Sequence, residues 1–294
     1  MSPGHRPAGP LRAPYEALKR AALDNLGSAN TSNLIINLVS ICFEYLQTEC
    51  TVVTLNSRVT DKRYFSFASK ANPSILSRPV NKSLFESDRA AIEKLWNRWK
   101  DGRKLALDVL SRLAYTMTIV YCAASELFDR NNKKGPSTYF EWFVGHLFAR
   151  AFGSNPTKKA NFVVEGKTIR MTMDFLFNLG IGRSKVHLPV KMSTRERVVQ
   201  AWAHQRLLDV FYGENQYRGI LVVFSETKLD LQKREVVAIC VPDQWLAYQV
   251  LLARMDRIYY FDTPQRYLEL AATFPVIRLK NFAEFFAEKE EVLA

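Results

Sequence analysis

The chain has 294 residues, 48% of them hydrophobic, which is enough for a sizeable core in one large domain or two smaller ones. Lys and Arg number 41 against 29 Asp and Glu, and an excess of +12 favours a polyanionic partner, because each cation that neutralises a phosphate releases a counterion. Four cysteines (Cys42, Cys50, Cys122, Cys240) stand far apart without a Cys-x-x-Cys pair, which argues against zinc ligation and a disulfide framework and for reduced core thiols.

In chain order, residues 1–14 hold four prolines and two glycines and read as a flexible leader, with charge but no apolar run behind it and therefore no signal peptide. A mainly helical region is expected over 15–134. Leu34, Ile35, Leu38, Ile41, Cys42 and Tyr45 recur at helical spacing, 51–69 alternates as one or two short strands, and 70–83 is a linker. A long helical segment over about 86–131 should break near Asp101-Gly102. Its most apolar stretch, Leu113 to Leu127, is too short for a bilayer, so no membrane is expected and a cytoplasmic location is the default.

The second half changes character. A helix is expected over 135–153, then strands over 161–167, 168–179 and 185–192, a helix over 193–213 and strands over 218–225 and 234–241. Together these make a core over 135–241: a helix, an antiparallel three-strand meander, a helix and further strands, in an α/β fold. Residues 242–294 alternate helix and strand as an α/β extension.

Period-2 alternation puts Met171, Met173, Phe175 and Phe177 on one face of the second core strand and Arg170, Thr172, Asp174 and Leu176 on the other. On the third strand Val186, Leu188 and Val190 oppose Lys185, His187, Pro189 and Lys191. Asp174 and Lys191 thus lie on polar faces of adjacent strands. Such a pair is either structural or, with Mg²⁺, suited to phosphodiester hydrolysis: the carboxylate holds the metal and the ammonium offsets charge growing on phosphorus. Ser193-Thr194-Arg195-Glu196 reads as a capping box, which would place a helix N-terminus and its free N–H groups just beyond Lys191. Arg195 and Arg197 in a first helical turn oppose the macrodipole and fit an anionic ligand. Arg197, Gln200 and His204 follow at i, i+3 and i+7 as one polar stripe.

This order, with Asp on the second strand and Lys on the third, resembles the PD-(D/E)XK nuclease superfamily, and 191–200 (KMSTRERVVQ) is similar to the post-lysine stretch of type II restriction endonucleases. The resemblance covers roughly 135–225. It implies Mg²⁺-dependent, sequence-specific cleavage of double-stranded DNA by a homodimer, with Asp174, Lys191 and Glu141 catalytic, Asp174 and Glu141 on the metal, and Ser193, Thr194, Arg195, Arg197, Gln200 and His204 on DNA. Met173 precedes the aspartate where the motif has proline, Pro189 replaces its acid, and no acid lies between Glu196 and Asp209. The second acidic ligand is therefore assigned to Glu141, on the helix before the meander, with Glu226 as the substitute. His187 is either a phosphate contact or a satisfied core histidine. Glu165-Gly166-Lys167 sits at a strand-end turn, away from the motif's place. Two rivals share the fold: a repair or recombination nuclease, and a DNA-binding protein whose catalysis is weakened or lost.

Overall fold

The computed structural model describes residues 9–129, 134–194 and 198–293. Its internal contacts divide the chain into two units: the part up to His146 together with Thr227–Ile239, and Leu147–Glu226 together with Cys240–Ala294.

The first unit opens with α1 (Arg12–Asp24) and α2 (Ala29–Thr48). The Ser28 hydroxyl accepts from the Thr31 N–H at 3.0 Å, which satisfies one of the free donors at the start of α2. β1 (Cys50–Ser57) and β2 (Tyr64–Ser69) pair antiparallel, and β3 (Val80–Asn81) adds to β2. The expected break separates α3 (Arg89–Lys100), capped by Asp88, from α4 (Leu107–Phe128). Every residue of α4 from Leu113 to Ser125 is buried, so the most apolar stretch of the sequence is a core helix, enclosed on all sides. Among the described residues no helix is long and apolar enough to cross a membrane. The boundary between the units falls inside α5 (Gly135–Phe152). His146 on α5 is buried and bonded through both ring nitrogens, to Ser32 Oγ and the Leu26 carbonyl, which accounts for it structurally.

The second unit carries the meander. β4 (Thr157–Val164), β5 (Lys167–Phe177) and β6 (Lys185–His187) pair antiparallel in sequence. β7 (Val190–Lys191), α6 (Val199–Tyr212) and β8 (Tyr217–Ser225) follow, with β6 and β7 both parallel to β8. The strand expected over 185–192 is thus two pieces, parted at Leu188-Pro189, because proline offers no N–H to the ladder. The helix expected from Ser193 begins at Val199, and Ser193 and Thr194 are not helical. Arg195, Glu196 and Arg197 lie outside the described residues.

The chain next enters the first unit as a hairpin, β9 (Thr227–Asp230) and β10 (Glu235–Ala238). β10 runs parallel to β1, completing a five-stranded sheet in the order β3-β2-β1-β10-β9. The run 234–241, expected as a further strand of the core, does form a strand, and its partners β1 and β9 lie in a different sheet from the meander's. The second unit resumes with α7 (Pro242–Ala247), which passes into a π-helical turn at Tyr248–Leu252, then β11 (Arg257–Asp262), α8 (Gln265–Thr273), β12 (Leu279–Asn281) and α9 (Glu284–Leu293). β11 is parallel to β8 and β12 to β11, giving a seven-stranded mixed sheet in the order β12-β11-β8-β6-β5-β4, with β7 also on β8. Ile220 to Phe224 of β8 are all buried, as expected of a central strand covered on both faces. On one side Leu221, Val223, Ile258 and Tyr260 pack with Trp202 of α6 and Trp245 of α7; elsewhere Phe148 and Phe152 of α5 meet Phe285 of α9. The expected α/β order of helix, meander, helix and strand is the observed one.

Candidate active site

The site is built where β5 loses its regular register. β4 and β5 pair evenly from Val164↔Lys167 to Lys159↔Thr172, and the next pair is Thr157↔Leu176, so β5 spends extra residues at 173–175. Met171 and Met173 pack in one cluster with Leu208 of α6, and so does Leu176. The strict alternation expected through Phe177 is therefore broken, and Phe177 instead meets Phe152 of α5 at 5.0 Å between ring centroids. Asp174 occupies this irregular stretch. A bulge of this kind re-aims a side chain that the ladder would otherwise fix.

Pro189 completes the local geometry. The chain parts from β5 after Leu188, whose N–H still reaches the Phe175 carbonyl at 3.0 Å. The next available donor, Val190 N–H, is taken by Asp174 Oδ2 at 2.8 Å. The same oxygen accepts from Lys191 Nζ at 2.8 Å. Asp174 thus does in side-chain form what a strand carbonyl would have done, and brings the ammonium with it. The two side chains keep 24% and 19% of their exposure, so the pair is partly dry yet open to a ligand. Both bonds fall on Oδ2; among the described residues none reaches Oδ1.

His187 lies behind this pair and is fully buried, with Nδ1 3.0 Å from Gln205 Oε1. Gln205 donates its amide hydrogens to Asp209 Oδ1 and the Tyr217 carbonyl, so its oxygen must face the ring and His187 carries its proton on Nδ1. Nε2 is buried without a hydrogen-bond partner. Burial lowers the His187 pKa to about 4, against the raising effect of the Gln205 bond, with His204 lowering it further. His204, half-buried on α6, is also lowered, by burial first, while Asp174 raises it and Lys191 lowers it. His204 therefore stands within the field of the pair, and Gln200 is exposed one turn earlier on α6.

Beyond Lys191 the chain is anchored to the end of β8. Ser225 N–H donates to the Met192 carbonyl, and Thr194 N–H donates to Glu226 Oε1 at 2.8 Å. Tyr260 OH donates to the same oxygen at 2.9 Å, and Thr194 Oγ1 lies 3.3 Å from Tyr267 OH. Thr194 and Glu226 are both buried. Thr194's side chain is thereby withdrawn from the DNA-facing surface expected of it, and Glu226 positions the segment after the lysine; Ser193 is half-buried. Glu141 stands in the first unit, where it helps burial and Glu16 raise the Tyr15 phenol to about 12. Sequence reasoning missed the tyrosines around Glu226, whose signal was a carboxylate ending an apolar strand, costly without donors.

Among the described residues no three His, Cys, Asp or Glu side chains converge as a metal cage. Mg²⁺ asks for less: one or two carboxylates, substrate phosphate oxygens and retained water. Asp174, with Oδ1 available, fits that smaller requirement.

The chain has the fold of a type II restriction endonuclease. It is similar to the crystal structure of the Type IIP restriction endonuclease Kpn2I, with a TM-score of 0.81 over 96% of both chains at 22% identity. It also resembles the structure of restriction endonuclease PspGI in complex with substrate DNA, with a TM-score of 0.47 at 15% identity, over 69% of this chain and 91% of that one. No protein-family model matches the sequence, and no curated protein matches it.

Proposed function

We propose that this protein is a type II restriction endonuclease that hydrolyses phosphodiester bonds of double-stranded DNA at a defined sequence, with Mg²⁺ and as a homodimer. The observation that carries this reading is the Lys191 ammonium 2.8 Å from a partly exposed aspartate, at a bulge beside a strand break in this fold. Bound Mg²⁺ would polarise the scissile phosphate and lower the pKa of water beside it. Asp174 would hold the ion through Oδ1 while Oδ2 keeps Lys191 and Val190 in place. Lys191 would orient the attacking water and offset charge gathering on the phosphoryl oxygens, an effect greatest in the transition state. Gln200 and His204 would meet the DNA backbone from α6, and Arg195 and Arg197 would extend that surface, as their places in the sequence suggest. Glu141 remains the proposed second acid.

A second reading has its own support in Pro189, which stands where the nuclease motif carries its acid: a nuclease-fold DNA-binding protein with weakened catalysis. Plasmid DNA incubated with the full chain and Mg²⁺ separates the two. Discrete fragments that vanish with a chelator, and with Asp174→Asn, support the endonuclease. Asparagine retains an acceptor for Val190 N–H, so that variant removes charge and leaves the strand break intact. Tight binding without cutting would favour the second reading, and unchanged cutting by Asp174→Asn would overturn the site.

A further inference from the structure

The β4–β5 hairpin runs well past the rest of its sheet. β6 pairs with β5 only at Leu176 and Phe177, so the stretch from Lys159↔Thr172 to Val164↔Lys167 is a two-stranded ribbon with no third strand among the described residues. Glu165 and Gly166, at φ of 49° and 75°, form the two-residue turn that a tight hairpin requires. The two faces differ. Ala160, Phe162 and Met171 pack in the cluster with α6, where Phe162 meets Phe211 at 4.7 Å between ring centroids. The outer face is exposed and carries three cross-strand pairs, Lys159↔Thr172, Asn161↔Arg170 and Val163↔Thr168. Among the described residues neither Lys159 nor Arg170 pairs with a carboxylate, and no internal hydrogen bond engages the Asn161, Thr168 or Thr172 side chains. Nothing in the fold itself requires this set.

We propose that the outer face of the β4–β5 ribbon enters the major groove of duplex DNA and reads base edges, with Asn161 and Arg170 as specificity-determining residues. The inference rests on the DNA-cleaving reading above. Charge favours the groove: from Thr157 to Met173 the ribbon holds Lys158, Lys159, Lys167 and Arg170 against the single acid Glu165. Size selects which groove. A major groove about 12 Å wide admits a two-stranded ribbon as it stands, whereas a minor groove of about 6 Å would first have to be widened by deforming the duplex. Six paired residues at about 3.4 Å each cover about 20 Å, or about six base pairs. The side-chain types suit base reading, since arginine spans guanine O6 and N7, asparagine spans adenine N6 and N7, and Val163 or the threonine methyls can meet a thymine methyl. Placement is favourable as well. Met171 packs on the inner face, so alternation along the regular part of the ribbon carries Thr168, Arg170 and Thr172 together on the outer one, and Thr172 lies two residues from Asp174 in the sequence.

The test uses binding, so that it does not depend on cutting. Full-length wild type, Arg170→Ala, Arg170→Lys and Asn161→Ala are each selected against a duplex library with a randomised central segment, with thermal unfolding and sedimentation on the same preparations. The expected result is one consensus for wild type, and for Arg170→Ala and Asn161→Ala an unchanged melting temperature with about 10- to 100-fold weaker cognate binding and lost preference at particular positions. Arg170→Lys should behave like alanine, because lysine keeps the charge and loses the bidentate fork. An unchanged consensus, with uniformly weaker binding that Arg170→Lys restores, would make Arg170 a phosphate contact and overturn base reading. An unchanged consensus with an altered sedimentation coefficient would make the ribbon a protein contact and overturn it too. Wild type that neither binds nor cuts DNA would remove the endonuclease reading itself, an outcome distinct from these.

Discussion

Asp174 Oδ2 accepts from a backbone N–H and from an ammonium at once, so the pair could serve the fold alone or the chemistry alone. Lys191→Ala distinguishes the two. If the ammonium acts on the transition state, cleavage should fall by several orders of magnitude while DNA affinity changes by about tenfold or less, since one phosphate contact is small beside the basic surface. The partly exposed Asp174 keeps Val190 N–H and gains water, so the melting temperature should fall by only a few degrees. Large destabilisation with cutting retained per folded molecule would mark a structural pair. His187 makes a separate prediction. Its pKa is lowered to about 4 from the usual 6.5, so below pH 6.5 the unfolded chain takes up a proton that the folded one refuses. The stability tied to neutral His187 is complete above pH 6.5 and is lost as pH falls towards 4, by up to about 3 kcal/mol. His187→Gln should flatten the melting-temperature profile between those limits; an unaltered slope would show that His187 is not the group responsible.

At the scale of elements, Glu226 ties the end of β8 to the segment that follows Lys191. Glu226→Gln weakens the charge-assisted bonds from Thr194 N–H and Tyr260 OH, and should cost about 1–3 kcal/mol with cleavage per folded molecule changing far less than in Lys191→Ala. Thermal unfolding and single-turnover cleavage measured together check this; unchanged stability with abolished cutting would return Glu226 to the metal. Elements with a strong local pattern were legible in the sequence. The α5 helix, the meander and the α6–β8 succession stand close to where periodicity and turn residues put them, and Asp174 and Lys191 meet as their strands imply. What failed was decided by partners outside the local pattern. The 193–196 run has the form of a capping box, yet Thr194 N–H is bound by Glu226 and α6 starts at Val199. The 234–241 run reads as a strand, but its partner across the sheet is β1, more than half the chain length away, which no local pattern shows. Pro189 marks a strand break by its missing N–H, whereas the irregular register around Asp174 follows from the β4 pairing and has no signature in the alternation of β5.

For the whole molecule, the proposed endonuclease reading raises the question of how one Asp174–Lys191 pair would cut two strands. Each chain supplies a single Asp174–Lys191 pair, and double-strand cleavage is two hydrolyses on strands of opposite polarity. A two-fold homodimer answers this by placing one site on each strand, and it matches a palindromic recognition sequence. Mixed dimers test the arrangement without interference from folding. Wild type and Lys191→Ala are co-expressed with different tags, purified through both, and offered supercoiled plasmid carrying one site. If each subunit serves its own strand, the mixed dimer should convert the plasmid to nicked circles that accumulate, because the inactive subunit leaves the second strand whole. Wild-type dimers on the same plasmid should give linear DNA with little nicked intermediate. A monomer that cuts both strands in turn predicts something different: the two tagged chains would not co-purify, and a mixture would linearise the plasmid at a rate set by the wild-type fraction. Linear product without nicked accumulation from a purified mixed dimer would also defeat the proposal, since one active subunit would then be reaching both strands.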